Sequence, residues 1–331
     1  MECSKNTDEM WNQACFITRL VSSTVRVSEA AGTLIKRIMF DGNLKIVNKA
    51  TDGGKADLQT EADRAAQYFI EKSLQAKFKG LTIIGEEDVT SSVPYVETDV
   101  CADVLKEDAK CSEELRNIKL EDVVVWVDPL DGTSEFAQAA KNGVSLLEQV
   151  TVLIGIAYKG RSIAGVVHQP YYNNGSDNLG RTMWAIIGLG TYGVPIVGAS
   201  SNKVVVTTRS HSTPMVTETL ETLTKQGLAD SVERVGGAGF KVIKCLEGAA
   251  AYVFASPGCK KWDTAAPEAL ITAAGGRLTD ISGRPLYYGV DAQITNTGGV
   301  LATPYWVKHD EYVSAIPAHV KDCLPEFASK K

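Results

Sequence analysis

The sequence of 331 residues has little of the material from which several common classes of protein are built. Its four histidines lie far apart, at positions 168, 211, 309 and 319, so a zinc site is not expected from them. Its seven cysteines are odd in number and scattered, with no Cys-x-x-Cys spacing, which indicates reduced thiols rather than a disulfide framework. No apolar stretch approaches the roughly 20 residues that a membrane span requires.

Basic residues are also too few to favour a polyanion as partner. The net charge is −6, which argues against non-specific binding to nucleic acid or to an anionic membrane. The first residues are polar and lack the apolar stretch of a secretion signal, so we expect a cytoplasmic protein. We further expect a monomer that acts on a small molecule, with neither a nucleic-acid polymer nor a membrane as partner.

What the sequence does contain is typical of a globular enzyme. Apolar residues make up 44% and charged residues 22% of the chain, and its length suffices for one large domain or two joined ones. Residues 10–38 and 57–77 carry apolar side chains at helical spacing. Residues 150–158 and 161–168 are rich in β-forming residues and are separated by a Lys-Gly pair, which predicts a hairpin.

The second half of the chain alternates between predicted strands and helices. The predicted strands lie at 204–208, 231–235, 251–254 and 277–281, and the predicted helices lie near 213–226, 239–248 and 262–274. We therefore expect an α/β (α+β) fold of layered helices and sheets, not a doubly wound fold throughout. The pattern changes near residues 195–202, which predicts one domain over residues 1–200 and another over residues 201–331.

Residues 126–133, Trp-Val-Asp-Pro-Leu-Asp-Gly-Thr, are the most informative segment of the chain. Asp128 and Asp131 follow an apolar stretch and lie three residues apart, so burial would make their carboxylates repel each other unless a cation is present. The backbone N–H groups of Gly132 and Thr133 begin a possible helix, where a phosphate oxygen could bind. A cation site beside an anion site indicates metal-assisted phosphate chemistry.

Three further acids lie where a predicted apolar element meets a loop. Glu86 follows a short predicted strand, while Asp57 and Asp263 begin predicted helices. Mg²⁺ prefers such hard oxygen ligands and retains waters in its coordination shell. Taken singly, each of the three acids is better explained as a helix cap or a solvated loop charge than as a metal ligand.

Three separated motifs resemble one family of enzymes. Gly85-Glu86-Glu87, the segment 128–133, and Trp262-Asp263 followed by Pro267-Glu268 are similar to the signature of the lithium-sensitive, magnesium-dependent phosphomonoesterases. That group includes the inositol monophosphatases and the fructose-1,6-bisphosphatases. Segments 56–60, 207–212, 234–239 and 254–263 resemble its 3′(2′),5′-bisphosphate nucleotidase branch in particular.

The resemblance implies a fold, a reaction and a role for individual residues. The fold would be an αβαβα sandwich, with metal ligands in the first domain and nucleotide contacts in the second. The reaction would be lithium-inhibited removal of the 3′-phosphate from adenosine 3′,5′-bisphosphate, and also from its sulfated form. The implied metal ligands, for two or three Mg²⁺ ions, are Glu86, Asp128, the Leu130 carbonyl, Asp131 and Asp263. Asp57 and Thr133 would orient and deprotonate the attacking water, and Thr208, His211, Gly237 and Lys241 would contact the nucleotide.

Other functions remain open at this point. The metal residues would serve any phosphomonoester, so an inositol polyphosphate 1-phosphatase or inositol monophosphatase activity is the alternative, and a non-enzymatic binding module is a third possibility. The segment 188–193 fits Gly-x-Gly-x-x-Gly, a dinucleotide-binding pattern, but Pro195 and Gly198 interrupt the helix that should follow, so we interpret it as a glycine-rich strand connection. The chain also departs from the family, since residues 134–149 form a longer segment and Ser134 replaces an expected lysine.

Overall fold

The computed structural model describes residues 2–49, 58–88, 93–142, 146–173 and 180–325. The described α-helices are α1 (Glu2–Gln13), α2 (Phe16–Asp41), α3 (Glu61–Lys77), α4 (Ala102–Lys106), α5 (Glu113–Arg116), α6 (Thr133–Asn142), α7 (Pro214–Lys225), α8 (Ala238–Leu246), α9 (Lys261–Ala273), α10 (His309–Ala315) and α11 (Ala318–Asp322). Short 3₁₀ helices occur at Asp108–Lys110, Leu120–Asp122 and Leu147–Gln149.

The strands form two large sheets and one short pair. They are β1 (Val47–Asn48), β2 (Leu58–Gln59), β3 (Thr82–Gly85), β4 (Val123–Asp131), β5 (Thr151–Tyr158), β6 (Arg161–Gln169), β7 (Arg181–Ile186), β8 (Gly190–Tyr192), β9 (Val204–Thr208), β10 (Ser231–Val235), β11 (Ala251–Phe254), β12 (Arg277–Thr279) and β13 (Val300–Thr303). The first sheet has the order β3-β4-β5-β6-β7-β8, and the second has the order β10-β9-β11-β13-β12. Strands β1 and β2 pair antiparallel.

The two sheets alternate with helices in five layers. Helices α2 and α3 pack on each other and on the first sheet, and α9 packs on strands β4 to β7 of the same sheet. Helix α9 also packs against α8 and against strands β12 and β13 of the second sheet. Helices α7 and α10 contact each other, and their apolar residues join the core of the second sheet. The predicted α/β layered fold is therefore confirmed.

Apolar patterning explains why the first sheet is the central layer. All nine residues of β4 are buried, and so are seven of the eight residues of β5. Helix α3 buries Ala62, Ala66, Phe69 and Ile70 on one face, as the helical period predicted. Because β4 runs directly into Asp128 and Asp131, the chain carries two carboxylates into the interior at the end of its most buried strand.

Most predicted elements are present, and several others were not predicted. Strands β9, β10 and β11 begin and end at the predicted residues, and the hairpin of β5 and β6 is confirmed. The segment 188–193 contains the end of the turn after β7 and strand β8, which pairs with β7, and no helix follows it within the described residues 194–203. This confirms the interpretation of the glycines as part of a connection between strands. The helix predicted over 10–38 is two helices that meet near Cys15. The division into domains at residue 200 stays a prediction.

Candidate active site

One cavity of about 350 Å³ lies where the ends of both sheets meet. Ten of the eleven residues singled out in the sequence line it: Glu86, Asp128, Leu130, Asp131, Thr133, Thr208, His211, Gly237, Lys241 and Asp263. The eleventh, Asp57, lies outside the described residues. The cavity has two walls, which we call the acidic wall (Glu86, Asp128, Leu130, Asp131, Thr133 and Asp263) and the substrate wall (Thr208, His211, Gly237 and Lys241).

The end of β4 positions the two central acids. The pairing of β4 with β5 shifts register between Asp128 and Asp131, so this segment departs from regular strand geometry. The Asp128 Oδ1 atom accepts a hydrogen bond of 3.0 Å from the Leu130 backbone N–H, which closes this turn. Both carboxylates are nearly inaccessible to solvent, with exposed fractions of 2% for Asp128 and 8% for Asp131.

Asp131 joins the two halves of the molecule. Its Oδ1 accepts from the backbone N–H of Ala238 at 2.9 Å, and its Oδ2 accepts from that of Gly239 at 2.8 Å. The Thr151 hydroxyl donates to Oδ2 at 2.8 Å. Ala238 and Gly239 begin α8, so the carboxylate caps a helix N-terminus, which stabilises its charge. A residue predicted only as a metal ligand is therefore also the contact between the first sheet and α8.

Glu86 and Asp263 reach the same cavity from separate elements. Glu86 directly follows β3, and its backbone N–H donates to the Val127 carbonyl at 3.1 Å, which holds it beside the end of β4. Asp263 lies in the first turn of α9 and accepts from the Lys260 backbone N–H at 2.7 Å. Lys49 makes an ion pair with Glu86 at 3.2 Å. The parallel pairing of β3 with β4 is what brings Glu86 close to Asp128.

Burial and neighbouring acids disfavour the charged forms of Glu86, Asp128 and Asp263. Burial, and then the charge of Asp263, raises the pKa of Glu86 to about 8. Burial, with the charges of Glu86 and Asp131, raises the pKa of Asp128 well above its usual range. Burial and Asp131 raise the pKa of Asp263 to about 6. Four ionised carboxylates in this cavity are therefore stable only beside compensating positive charge.

The donor set fits hard divalent cations, which the resemblance implies. All the side-chain donors of the acidic wall are oxygens, and the Leu130 carbonyl lines the same cavity. No three of the four acids place an oxygen within 4.8 Å of one another. A pair of carboxylates could instead bind each cation, with waters or substrate oxygens as the remaining ligands, as Mg²⁺ commonly prefers.

Thr133 pairs with a carboxylate that the sequence analysis did not single out. Its hydroxyl lies 2.9 Å from Asp63 Oδ1 and 3.0 Å from the Leu130 carbonyl oxygen. Asp63 is fully buried, and its Oδ2 accepts from the Thr60 backbone N–H at 2.7 Å. Burial raises the pKa of Asp63 to about 6, although its hydrogen bonds with Thr60 oppose that shift. The carboxylate that contacts Thr133 in the structure is thus Asp63. Asp57, which the sequence analysis paired with Thr133, lies outside the described residues, so that pairing stays a prediction.

The substrate wall is built from loops at the ends of β9 and β10. The Thr208 hydroxyl accepts from the His211 backbone N–H at 3.1 Å, which fixes the turn after β9. The His211 Nδ1 atom lies 2.8 Å from the Ser210 hydroxyl. Thr208 is buried whereas His211 is exposed, so His211 is the more accessible of the two to a ligand.

Gly237 and Lys241 are the residues of the substrate wall that lie near Asp131. Gly237 has a φ of +61°, and a Cβ there would lie 2.6 Å from the Gln149 carbonyl oxygen and 2.9 Å from Asp131 Oδ2. Only glycine fits such a close approach without strain. The Lys241 ammonium is buried and donates to the Gly237 carbonyl at 2.7 Å. Burial lowers the pKa of Lys241, and the nearby charge of Asp131 opposes this shift.

The sequence analysis also missed an ion pair between α6 and the loop that follows β9. The Arg209 Nη2 atom lies 3.1 Å from Glu135 Oε1 and donates to Gln138 Oε1 at 2.9 Å. Glu135 and Gln138 belong to α6, which begins at Thr133, and Arg209 follows β9. The longer segment of this chain begins in α6: Ala140 and Lys141 lie in its last turns, and residues 143–145 lie outside the described residues.

Comparisons with known proteins agree with this geometry. Residues 18–321 match the inositol monophosphatase family. The chain is 47% identical to a human protein named 3′(2′),5′-bisphosphate nucleotidase 1 over 316 residues, which cover 93% of this chain and 97% of that protein. The rat protein of the same name is 46% identical with the same coverage. The extragenic suppressor protein SuhB of Bartonella henselae has the same fold, with a TM-score of 0.61 at 19% identity over 89% of this chain and 96% of that one.

None of the helices in the described part of the chain combines the length and the apolar character of a membrane span.

Proposed function

The chain belongs to the inositol monophosphatase family, and we propose that it is a magnesium-dependent phosphatase that removes the 3′-phosphate of adenosine 3′,5′-bisphosphate, leaving AMP. We propose the same reaction for the sulfated form of that nucleotide, and inhibition by Li⁺. The observation that carries the proposal is the cavity itself, where four mutually repelling carboxylates face the N-terminus of α8 and the loop that contains His211. The human and rat relatives are named for activity on this class of nucleotide.

Thr133 and Asp63 would prepare the attacking water. A hydroxyl that donates to a carboxylate keeps its lone pairs free, so Thr133 can accept a hydrogen bond made by one proton of the water and can aim the water oxygen. Asp63 is the natural final acceptor of that proton because its raised pKa, about 6, lies near physiological pH. The water oxygen would attack phosphorus as the bond to the ribose 3′-oxygen breaks in line. Asp63 takes the role that the sequence analysis proposed for Asp57.

The acidic wall would hold two or three Mg²⁺ ions through Glu86, Asp128, the Leu130 carbonyl, Asp131 and Asp263. Bound cations would supply the charge that these acids lack and would polarise the phosphoryl oxygens. The wide spacing of the acids supports more than one ion, since no three of them converge on a single point. The Asp131 carboxylate is already oriented by three hydrogen bonds, which would reduce the rearrangement needed on binding.

The substrate wall would bind the nucleotide. Lys241 lies near Asp131 and could approach a phosphate oxygen, while the backbone at Gly237 allows close contact. Thr208 and His211 would contact the nucleoside, with His211 as the exposed group that can adjust to it. The Arg209–Glu135 ion pair would hold this loop against α6, and therefore against Thr133.

Parallel phosphate-release assays with Mg²⁺ test the proposal. The substrates are adenosine 3′,5′-bisphosphate, its sulfated form, inositol 1,4-bisphosphate, inositol monophosphate and fructose 1,6-bisphosphate. We expect the highest kcat/KM for the adenosine nucleotides and a loss of activity on adding Li⁺. A preference for an inositol or fructose ester would overturn the nucleotide assignment and leave the phosphatase assignment standing. No release from any substrate would overturn both.

A further inference from the structure

A second group of metal-binding side chains lies away from the cavity, where α1 meets α2. Cys15 lies between these helices, Asp108 is the first residue of the 3₁₀ helix at Asp108–Lys110, and Cys111 directly follows that helix. The sulfur atoms of Cys15 and Cys111 and a carboxylate oxygen of Asp108 all lie within 4.8 Å of one another. The described residues contain no other group of three histidine, cysteine or acidic ligands as compact as this one.

Hydrogen bonds already orient each of these three donors. The buried Thr18 hydroxyl lies 3.2 Å from the Cys15 sulfur and 3.3 Å from the Cys111 sulfur, so it spans both thiols. Asp108 Oδ1 accepts from the Cys15 backbone N–H at 2.9 Å, and Oδ2 pairs with Arg116 at 3.1 Å. Metal ligands are commonly held by such outer contacts. The arrangement therefore has the features of a built site and not of a chance meeting of side chains.

The chemistry of the donors selects the class of ion. Two sulfurs and one oxygen suit a borderline-soft cation such as Zn²⁺, in contrast to the all-oxygen acidic wall. With Zn–S distances of about 2.3 Å in tetrahedral geometry, two thiolates lie roughly 3.8 Å apart. A slight closing of the present arrangement would meet that requirement.

We propose that Cys15, Cys111 and Asp108 form a Zn²⁺ site, with a water as the fourth ligand. The site would join the α1–α2 junction to the segment of short helices at 102–118. Cys15 and Asp108 are 93 residues apart in sequence, so a bound ion would close a long loop in the first half of the molecule. Cys15 is partly exposed, which gives the ion a path from solvent. This site is independent of the phosphatase function proposed above.

Titration of the reduced protein with Cd²⁺, in the presence of excess Mg²⁺, tests the site because Cd²⁺ bound to thiolate absorbs in the ultraviolet. We expect one Cd²⁺ per chain, displacement by Zn²⁺ and a rise in Tm. Cys15→Ser and Cys111→Ser should each abolish the one-to-one saturation. Asp108→Asn, which keeps both thiols, should weaken binding by about tenfold or more.

Two matched variants control for other thiols. Cys323→Ser removes an exposed cysteine outside the site, and Cys259→Ser removes the cysteine that lines the active-site cavity. Both should keep the full absorption and the Tm shift. The proposal is wrong if the absorption is lost in Cys259→Ser but kept in Cys15→Ser. It is equally wrong if Cd²⁺ produces no thiolate absorption in the reduced wild-type protein. If the two cysteines then form a disulfide when an oxidant is added, they are a redox pair and not a metal site.

Discussion

The acidic wall and the substrate wall face each other across one cavity, and they are built by opposite means. The acids of the acidic wall lie at or directly after the ends of strands, or begin a helix. Asp128 and Asp131 are buried, and Glu86 and Asp263 are partly buried. Burial and neighbouring acids raise the pKa values of Glu86, Asp128 and Asp263. The substrate wall consists of the end of β9, the loop after it and the start of α8, and its polar groups bond mainly within these segments. Under the proposed function, the acids at the ends of interior strands would carry the chemistry, and the loop that contains the exposed His211 would contribute to the choice of substrate.

Replacing a central acid should produce the largest effect. We expect Asp131→Asn to lower kcat by about 10³-fold or more, because it removes a charge from the site where the cations would bind. Asn keeps one acceptor oxygen for the N-terminus of α8, so unfolding should become easier by only about 1–3 kcal/mol. Phosphate release and urea unfolding measure the two effects. Activity within tenfold of the wild type would remove Asp131 from the metal site.

A pair of matched variants distinguishes the two candidates for the proton acceptor. We expect Asp63→Asn to lower kcat by about 10²- to 10⁴-fold with little change in KM, because the water would lose its proton acceptor. Asp57→Asn should have the smaller effect on kcat. Combining Asp63→Asn with Thr133→Val should cost little more than either change alone, since the two residues act as a unit. A larger loss for Asp57→Asn would restore the assignment made from sequence.

Removal of divalent cations should make the stability of the protein depend on pH. The pKa values of Asp263 and Glu86 are raised to about 6 and about 8, so the folded state favours their neutral forms. As pH rises from about 4.5 to 8, these groups ionise first in the unfolded chain, and the folded state loses stability. We expect Tm in chelator to fall by about 5 °C or more over this range. Added Mg²⁺ should flatten the curve, and identical curves with and without Mg²⁺ would contradict the account.

A change at the contact between the walls should have a moderate effect. We expect Gly237→Ala to lower the free energy of unfolding by about 1–3 kcal/mol, because alanine is strained at positive φ and its Cβ would press on the Gln149 carbonyl oxygen. Gly227, which also has positive φ but open space around it, provides the control. Chemical denaturation of both alanine variants checks this. An equal loss at the two positions would show that backbone strain alone, and not the close approach, matters.

The sequence predicted the acidic wall far better than its partners. Asp128 and Asp131 have a strong local signal at the end of β4, whereas Glu86 and Asp263 were assigned through the family motifs that contain them. Asp63 could not, because in sequence it forms an ordinary capping box with Thr60, and its bond to Thr133 joins residues 70 positions apart. Only the fold reveals that contact.

The elements that were missed have weak local patterns or depend on distant partners. Strand β13 has four residues and is defined by pairing with β11 and β12. Helix α6, by contrast, begins at Thr133, where the sequence indicated a possible helix start. The Arg209–Glu135 ion pair likewise joins residues 74 positions apart. Tertiary contacts, which sequence periodicity does not report, decide both β13 and this ion pair.

The different roles proposed for the two walls can be tested most directly by the ratio of kcat/KM values for two substrates. The measurement is kcat/KM for adenosine 3′,5′-bisphosphate divided by kcat/KM for 4-nitrophenyl phosphate, which lacks a nucleoside, in the wild type, His211→Ala and Asp63→Asn. We predict that the ratio falls by about tenfold in His211→Ala, as expected for the loss of one hydrogen-bonding group. In Asp63→Asn both activities should fall together and leave the ratio unchanged. A ratio that is unchanged in His211→Ala, or that changes equally in both variants, would contradict the account.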